Sequence, residues 1–248
     1  MRHDVVTGRR AGRALATVAA AVLLGACSLR TVACGPERTA EAVRPAGNPL
    51  SGGGDQPATP AKIKIAFLGD SVTAGFGLLS EQAYPVAVQA LFAADGYQEV
   101  EIVNAGVSGD TTAAGLRRLD DTLEPEVRIL VVALGGNDAL RGLATQDTHD
   151  NLARIIERTT ARNVAVVLVG MLAPPNLGVD YREAFSAAFV MLAGEYKDKM
   201  TYIPFLLEGV AGNPSLNQAD GIHPTADGAK IIAEHLYPPL KILVYAIQ

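Results

Sequence analysis

The chain has 248 residues, 49% of them hydrophobic and 19% charged, with a formal net charge of −5. This length allows one domain with a sizeable core, or at most two small ones. An acidic chain without a basic run argues against electrostatic binding to nucleic acid. The two cysteines, Cys27 and Cys34, precede all the residues with regular hydrophobic periodicity, so that part has neither a disulfide framework nor a cysteine metal site.

Residues 1–26 have the features of a secretory signal. A basic stretch, residues 9–13, precedes the apolar run 14–24, which is too short to span a bilayer comfortably. The sequence LGAC at residues 24–27 resembles a bacterial lipobox, and by that resemblance Cys27 would be lipidated. The alternative is an ordinary cleaved signal followed by a chance cysteine. We therefore expect export to the periplasm or cell envelope, with a lipid on Cys27 as a membrane anchor.

Residues 27–61 differ from the rest of the chain in composition. They contain five prolines and the triplet at residues 52–54, GGG, and they show no hydrophobic period. Such a composition is typical of a flexible tether. The sequence therefore predicts a signal over 1–26, a tether over 27–61 and one folded domain over 62–248.

From Lys62 onward, short apolar strands alternate with amphipathic helices. The strands are predicted at residues 63–68, 101–103, 129–134, 164–169 and 201–203. Helical spacing of apolar residues predicts helices around 84–92, 116–119, 152–159 and 185–196, and a last helix from about Thr225 past Leu236. Continuous apolar strands alternating with helices are typical of a parallel sheet that is covered on both faces.

Ligands of open α/β sheets bind beyond the carboxyl ends of the strands, which directs attention to the loops that follow them. The first such loop reads Gly69-Asp70-Ser71. A serine just after a strand, before a helix, can present its hydroxyl at the rim of the sheet. The alternative is that Ser71 is a helix N-cap, a common position for serine.

The second and third loops contain groups that can donate hydrogen bonds. Residues 104–111 include Gly109, whose backbone N–H could stabilise a developing oxyanion. Asn137 follows the third strand, and its side-chain amide is a neutral donor suited to the same task. The alternatives are an ordinary capped turn in the second loop and an Asx turn in the third.

The last loop, Asp220-Gly221-Ile222-His223-Pro224, contains the histidine best placed for catalysis. Of the four histidines, His223 is the one in a loop beside a carboxylate. A turn can fold Asp220 onto one ring nitrogen and leave the other free as a base. The alternative is half of a metal site, but no other histidine or cysteine is available to complete it.

Taken together, the motif at residues 69–71 with Gly109, Asn137 and His223 resembles the four blocks of GDSL, or SGNH, hydrolases. The resemblance covers about residues 62–240 and looks closest to the bacterial arylesterase, thioesterase and lysophospholipase branch. It implies a three-layer α/β/α, flavodoxin-like sandwich with a five-stranded parallel sheet. Residues 134–142 (LGGNDALRG) carry much of the finer match.

The resemblance also implies a role for each of these residues. Ser71 would be the nucleophile, His223 the general base and Asp220 the residue that orients His223. The backbone N–H groups of Ser71 and Gly109 and the amide of Asn137 would form the oxyanion hole. We therefore expect a serine esterase that hydrolyses aryl or acyl esters, thioesters or lysophospholipids, without a metal or organic cofactor.

Two other functions remain open at this point, and one segment is assigned to the substrate. The first alternative is a carbohydrate O-acetyl esterase on the same scaffold, and the second is a non-catalytic flavodoxin-like lipoprotein that binds a small ligand. The segment 172–181 follows the fourth strand and is stiffened by two prolines. We predict that Leu172, Pro174 and Leu177 border the acyl pocket, the alternative being a plain surface loop.

Overall fold

All five predicted strands are present, and they form one parallel sheet. A computed structural model describes residues 62–248, so the predicted signal, Cys27 and the tether lie outside the described residues. The strands are β1 (Ile63–Gly69), β2 (Val100–Gly106), β3 (Val127–Ala133), β4 (Ala165–Val169) and β5 (Met200–Ile203). Their order across the sheet is β2-β1-β3-β4-β5, and each neighbouring pair is parallel.

Helices flank this sheet in two groups. The helices are α1 (Ser71–Ala74), α2 (Tyr84–Ala94), α3 (Thr112–Arg117), α4 (Leu119–Thr122), α5 (Gly136–Leu140), α6 (Thr145–Thr160), α7 (Val179–Glu195) and α8 (Ala226–Ile247), with 3-10 turns at Ser80–Gln82 and Pro175–Leu177. Helix α2 packs against α8, whereas α6 packs against both α3 and α7. The three-layer α/β/α sandwich is therefore confirmed. Within residues 62–248, no helix has both the length and the apolar character needed to cross a bilayer.

The central strands form the core of the domain. In β1 and β3 almost every residue is buried, on both faces of the sheet. Their side chains are mostly β-branched or aliphatic, which suits strands that are covered by helices on both sides. Burial on both faces explains why the sequence shows continuous apolar runs here rather than alternation, and it holds the carboxyl ends of these strands in place.

Strand β2 is longer than the sequence predicts. The prediction ended at Val103, whereas the observed strand continues through Asn104 to Gly106, in register with Phe67 to Gly69 of β1. Pairing with β1 extends β2 across a polar residue that carries no hydrophobic signal. A Cβ on Gly106 would lie 2.3 Å from the backbone N of Ala74, so a glycine here lets α1 pack directly on the end of β2.

Candidate active site

The loops with the predicted catalytic residues meet at one edge of the sheet. The chain runs from β1 outward to β2 and then returns to the other side of β1 as β3, so the strand order reverses between β1 and β3. A reversal of this kind leaves a crevice beyond the carboxyl ends of the strands. Ser71 follows β1, Gly109 follows β2 and Asn137 follows β3, so all three lie around this crevice.

Ser71 is the first residue of α1, and its hydroxyl is not used to cap that helix. The cap is Asp70, whose carboxylate accepts a hydrogen bond of 3.0 Å from the backbone N–H of Val72. A Cβ on Gly69 would lie 1.9 Å from the Thr73 hydroxyl oxygen, so the turn before Ser71 is tightly packed. The alternative role of Ser71 as an N-cap is therefore excluded, and its hydroxyl is available for another partner.

That partner is His223, and Asp220 lies on the other side of the imidazole. The distance between His223 Nε2 and Ser71 Oγ is 2.8 Å, although the two residues are 152 positions apart. His223 Nδ1 lies 2.7 Å from Asp220 Oδ2. Both ring nitrogens are thus engaged by the protein, which leaves no ring nitrogen free for the metal site that an Asp-x-x-His sequence could otherwise suggest.

Asp220 is held as a carboxylate by three donors. Its Oδ1 accepts hydrogen bonds from the backbone N–H groups of His223 at 3.0 Å and of Ile222 at 2.9 Å, while Oδ2 faces the imidazole. The backbone N–H of His223, its imidazole and the backbone N–H of Ile222 together lower the pKa of Asp220 to about 2. The turn thus keeps a negative charge beside Nδ1, which favours the tautomer with the proton on that nitrogen.

Two of the three predicted oxyanion donors have no acceptor in the part of the chain that the structure describes. These are the backbone N–H groups of Ser71 and Gly109. Gly109 has φ +86°, a left-handed conformation that a glycine adopts without strain. The Asn137 amide donates to the carbonyl oxygen of Asp110 at 3.0 Å and lies 3.4 Å from Asp70 Oδ2, a distance near the limit of a hydrogen bond.

Asp70 is a buried carboxyl group beside these donors. It is 3% exposed, and this burial raises its pKa to about 6 although the Val72 N–H opposes the shift. A Cβ on Gly136 would lie 3.1 Å from Asp70 Oδ2, so the start of α5 packs directly against this carboxyl group. Asp70 therefore links the turn before Ser71 to the segment that carries Asn137.

Phe76 and Gln218 contact the His223 loop and were not predicted as site residues. The Phe76 ring lies 4.7 Å from the imidazole, centroid to centroid, at an angle of 40°. The Gln218 amide donates to the carbonyl oxygens of Phe76 at 2.7 Å and Pro224 at 2.9 Å. Gln218 thereby ties the segment after α1 to the loop that holds His223, a contact for which the local sequence gives no signal.

The predicted acyl-binding segment lies after β4, at the same edge of the sheet. Leu172 is 54% exposed, whereas Leu177 packs partly against the core. Pro174 precedes the 3-10 turn at Pro175–Leu177. The hydroxyl of Tyr181 donates to the carbonyl oxygen of Leu143 at 2.8 Å, which joins the end of this segment to the chain after α5.

Comparison with known proteins identifies the family. The sequence profile of the GDSL-like lipase/acylhydrolase family matches residues 67–231, which is more than half of the chain. The chain belongs to this family. The matched region contains every residue of the site described above, from Asp70 to His223.

Individual relatives agree with the family assignment. The GDSL hydrolase is 40% identical to Esterase TesA of Pseudomonas aeruginosa over 73% of this chain and 89% of the relative. It is 38% identical to thioesterase 1/protease 1/lysophospholipase L1 of Escherichia coli over 73% of this chain and 84% of the relative. A crystal structure of the esterase EstA from Pseudoalteromonas, inhibited by monoethylphosphonate, superposes with a TM-score of 0.67 at 29% identity and covers 73% of this chain and 98% of that one.

These findings settle the class of reaction. The fold and the family both match SGNH hydrolases, and the chain is a serine ester hydrolase of this class. Within residues 62–248, no three side chains of His, Cys, Asp or Glu are grouped so that they could hold a metal ion.

Proposed function

We propose that Ser71 is the nucleophile of this hydrolase, that His223 is its general base and that Asp220 orients His223. One observation carries the proposal: a single imidazole lies 2.8 Å from a serine hydroxyl and 2.7 Å from a carboxylate. A base within hydrogen-bond reach of the nucleophile, itself oriented by a third group, is the arrangement that activates a serine.

The reaction has two steps, and His223 moves a proton in each. His223 Nε2 takes the Ser71 hydroxyl proton while Oγ attacks the ester carbonyl carbon. The tetrahedral adduct collapses, and the leaving alcohol or thiol receives the proton from Nε2. Water then loses a proton to Nε2 and attacks the acyl group, and the carboxylic acid leaves as Oγ regains its proton. Asp220 remains ionised and stabilises the imidazolium in both steps.

The negative oxygen of each tetrahedral adduct would be bound by three donors. The N–H groups of Ser71 and Gly109 are unpaired within residues 62–248 and are therefore free to donate. The Asn137 hydrogen that faces Asp70 is held only by a 3.4 Å contact, so a strongly charged oxyanion would compete for it. Donors already in place stabilise the transition state without reorganising when the charge develops.

Labelling with a fluorophosphonate probe tests the role of Ser71. We expect one covalent adduct on the folded wild-type protein, located by peptide mass spectrometry at Ser71, because the activated hydroxyl attacks phosphorus and expels fluoride. Such a result is consistent with the phosphonate-inhibited state of the related EstA. An unlabelled wild-type protein, or an adduct at another serine, would contradict the proposed nucleophile.

We further propose that the substrates carry an acyl chain and that Leu172, Pro174 and Leu177 border its binding pocket. The names of the two relatives, an esterase and a thioesterase with lysophospholipase activity, support acyl esters and thioesters. Exposed apolar side chains after β4 support a surface that accepts a hydrocarbon chain. Contact between these side chains and the acyl group of a substrate removes apolar surface of both from water. Leu172 is the most exposed of the three and so the most direct to test.

Replacing Leu172 by Asp is expected to reduce selectivity for long acyl chains. The ratio of kcat/KM for p-nitrophenyl decanoate over acetate should fall by about tenfold or more, since each buried methylene group contributes about 0.8 kcal/mol. The charge should leave folding intact because Leu172 is 54% exposed. The matched control is Val190→Asp on α7, where the side chain is 62% exposed. An unchanged ratio in Leu172→Asp would reject the pocket.

Export and lipidation of Cys27 stay predictions, because residues 1–61 lie outside the described part of the chain. The signal-like residues 1–26 and the lipobox-like sequence at residues 24–27 support an enzyme that is anchored in the cell envelope. Metabolic labelling with a radioactive fatty acid, compared between wild type and Cys27→Ala, would test it.

A further inference from the structure

The side chain of Arg118 contacts the ends of β1 and β2 and the loop after β2, all at the candidate site. Arg118 lies between α3 and α4, and its side chain is 21% exposed. Its Nε donates to Asp110 Oδ2 at 2.6 Å, Nη1 to the carbonyl oxygen of Ala105 at 2.7 Å and Nη2 to that of Gly69 at 2.9 Å. One guanidinium group thus satisfies three acceptors, of which Gly69 is 49 residues away in the sequence.

Each of the three acceptors lies within four residues of a proposed oxyanion donor in the sequence. Gly69 lies two residues before Ser71, and its carbonyl oxygen also accepts the Val107 N–H at 3.0 Å. Ala105 and Asp110 bracket the segment that contains Gly109. The guanidinium therefore holds both ends of that segment against the turn that leads to the nucleophile.

The third donor is connected through Asp110. The backbone carbonyl oxygen of Asp110 accepts the 3.0 Å hydrogen bond from the Asn137 amide, while its carboxylate faces Arg118. The Asp110 carboxylate is itself largely buried, with 14% of the side chain exposed. Each of the three oxyanion donors is thus close to an acceptor of Arg118. Ser71 and Gly109 lie within two residues of one in the sequence, and Asn137 is hydrogen-bonded to another.

We propose that Arg118 is a positioning residue that fixes the spacing between the Ser71 turn and the Gly109 segment, and so assembles the oxyanion hole. An arginine is required because its planar group offers donors in several fixed directions, whereas a lysine ammonium is a compact point charge. This inference rests on the proposed roles of Ser71, Gly109 and Asn137. Arg118 does not reach the reacting atoms itself.

Arg118→Lys tests the inference, with Arg158→Lys as the matched control. Arg158 also makes a 2.6 Å ion pair, to Asp120, but on the exposed surface. We expect kcat of Arg118→Lys to fall about 10- to 100-fold with KM within about threefold, because small displacements of reacting groups have effects of this size. The acid limb of the kcat/KM profile should not move, since Asp220 and His223 are not contacted by Arg118. The control should keep wild-type kcat.

Chemical rescue separates positioning from a general loss of folding. In Arg118→Ala, added guanidinium ion at millimolar concentration should restore part of kcat, whereas sodium chloride at the same concentration should not. If neither Arg118 variant folds, Asp110→Asn decides, because it removes the carboxylate that orients the guanidinium and keeps both carbonyl acceptors. A fall in kcat of about threefold or more at constant KM would then support the inference.

Several results would overturn the inference. A folded Arg118→Lys enzyme with kcat within about twofold of wild type would do so, and so would a variant whose loss is in KM alone. An Arg118→Ala enzyme that guanidinium does not rescue would also overturn it. If neither Arg118 variant folds, a wild-type kcat in Asp110→Asn would overturn it. Failure of the proposed function would look different, because the wild-type protein would then not be labelled at Ser71 by the fluorophosphonate. Labelled wild-type protein with an unaffected Arg118→Lys variant would reject only the role of Arg118.

Discussion

Replacing Ser71 by Ala should lower kcat/KM for p-nitrophenyl esters by about 10⁴- to 10⁶-fold. The substitution removes the oxygen that lies 2.8 Å from His223 Nε2 and with it the acyl-enzyme route. Losing the nucleophile of a serine hydrolase typically costs up to about 2 × 10⁶ in kcat, while the remaining oxyanion donors and binding groups still give some rate over water. The measurement is steady-state hydrolysis of p-nitrophenyl acetate by the purified proteins.

The matched control for this change is Ser80→Ala. Ser80 is an exposed serine in the 3-10 turn after α1, and its removal should leave both stability and turnover unchanged. Thermal unfolding of Ser71→Ala should also match the wild type, because the Ser71 hydroxyl contacts only a partly exposed loop. Turnover by Ser71→Ala above about 1% of wild type would remove Ser71 from the role of nucleophile.

Replacing Asp220 by Asn is the second large effect, with kcat expected to fall about 10²- to 10⁴-fold. The carboxylate accepts a hydrogen bond from His223 Nδ1–H at 2.7 Å and so keeps Nε2 free to act as a base. An Asn amide can instead donate to Nδ1, which places the ring proton on Nε2 and removes the base. KM should change little, because Asp220 faces the imidazole and not the crevice.

The low pKa of Asp220 determines the pH range in which its carboxylate can orient His223. Its pKa is lowered from 3.8 to about 2, so the carboxylate is largely charged above this value. Its contribution to the stability of the folded protein is complete above pH 3.8 and is lost as the pH falls through about 2. Protonation of Asp220 therefore contributes to a loss of wild-type activity only near pH 2. Asp227→Asn, on the exposed first turn of α8, is the matched control. Wild-type kcat in Asp220→Asn would exclude the orienting role.

The element pattern of the fold could be predicted because it depends on short-range periodicity. Apolar runs such as residues 63–68 must be buried on both faces, and the helical spacing in residues 152–159 allows only one helix face to be apolar. The end of β2 could not be predicted in this way. Asn104 is polar, and it belongs to the strand only because β1 offers it a paired neighbour.

The candidate site was predictable where its chemistry depends on rare side chains. A histidine three residues from a carboxylate and a serine at a strand end can be recognised from residue type and spacing. Arg118 could not, because it follows a short helix and has the local pattern of a surface cation. Its three acceptors lie at separations of up to 49 residues, and only the tertiary fold brings them together.

The sequence alone determined the alternation of strands and helices, the identity of the reactive side chains and their positions in the chain. The tertiary structure decided that Ser71 and His223, 152 residues apart, are hydrogen-bonded, and that Asp70 rather than Ser71 caps α1. It also decided that one partly buried guanidinium group joins the ends of β1 and β2 to the loop after β2. The reason is physical: periodicity and turn chemistry act between near neighbours, whereas a distance between two loops is set by the packing of the whole sheet beneath them.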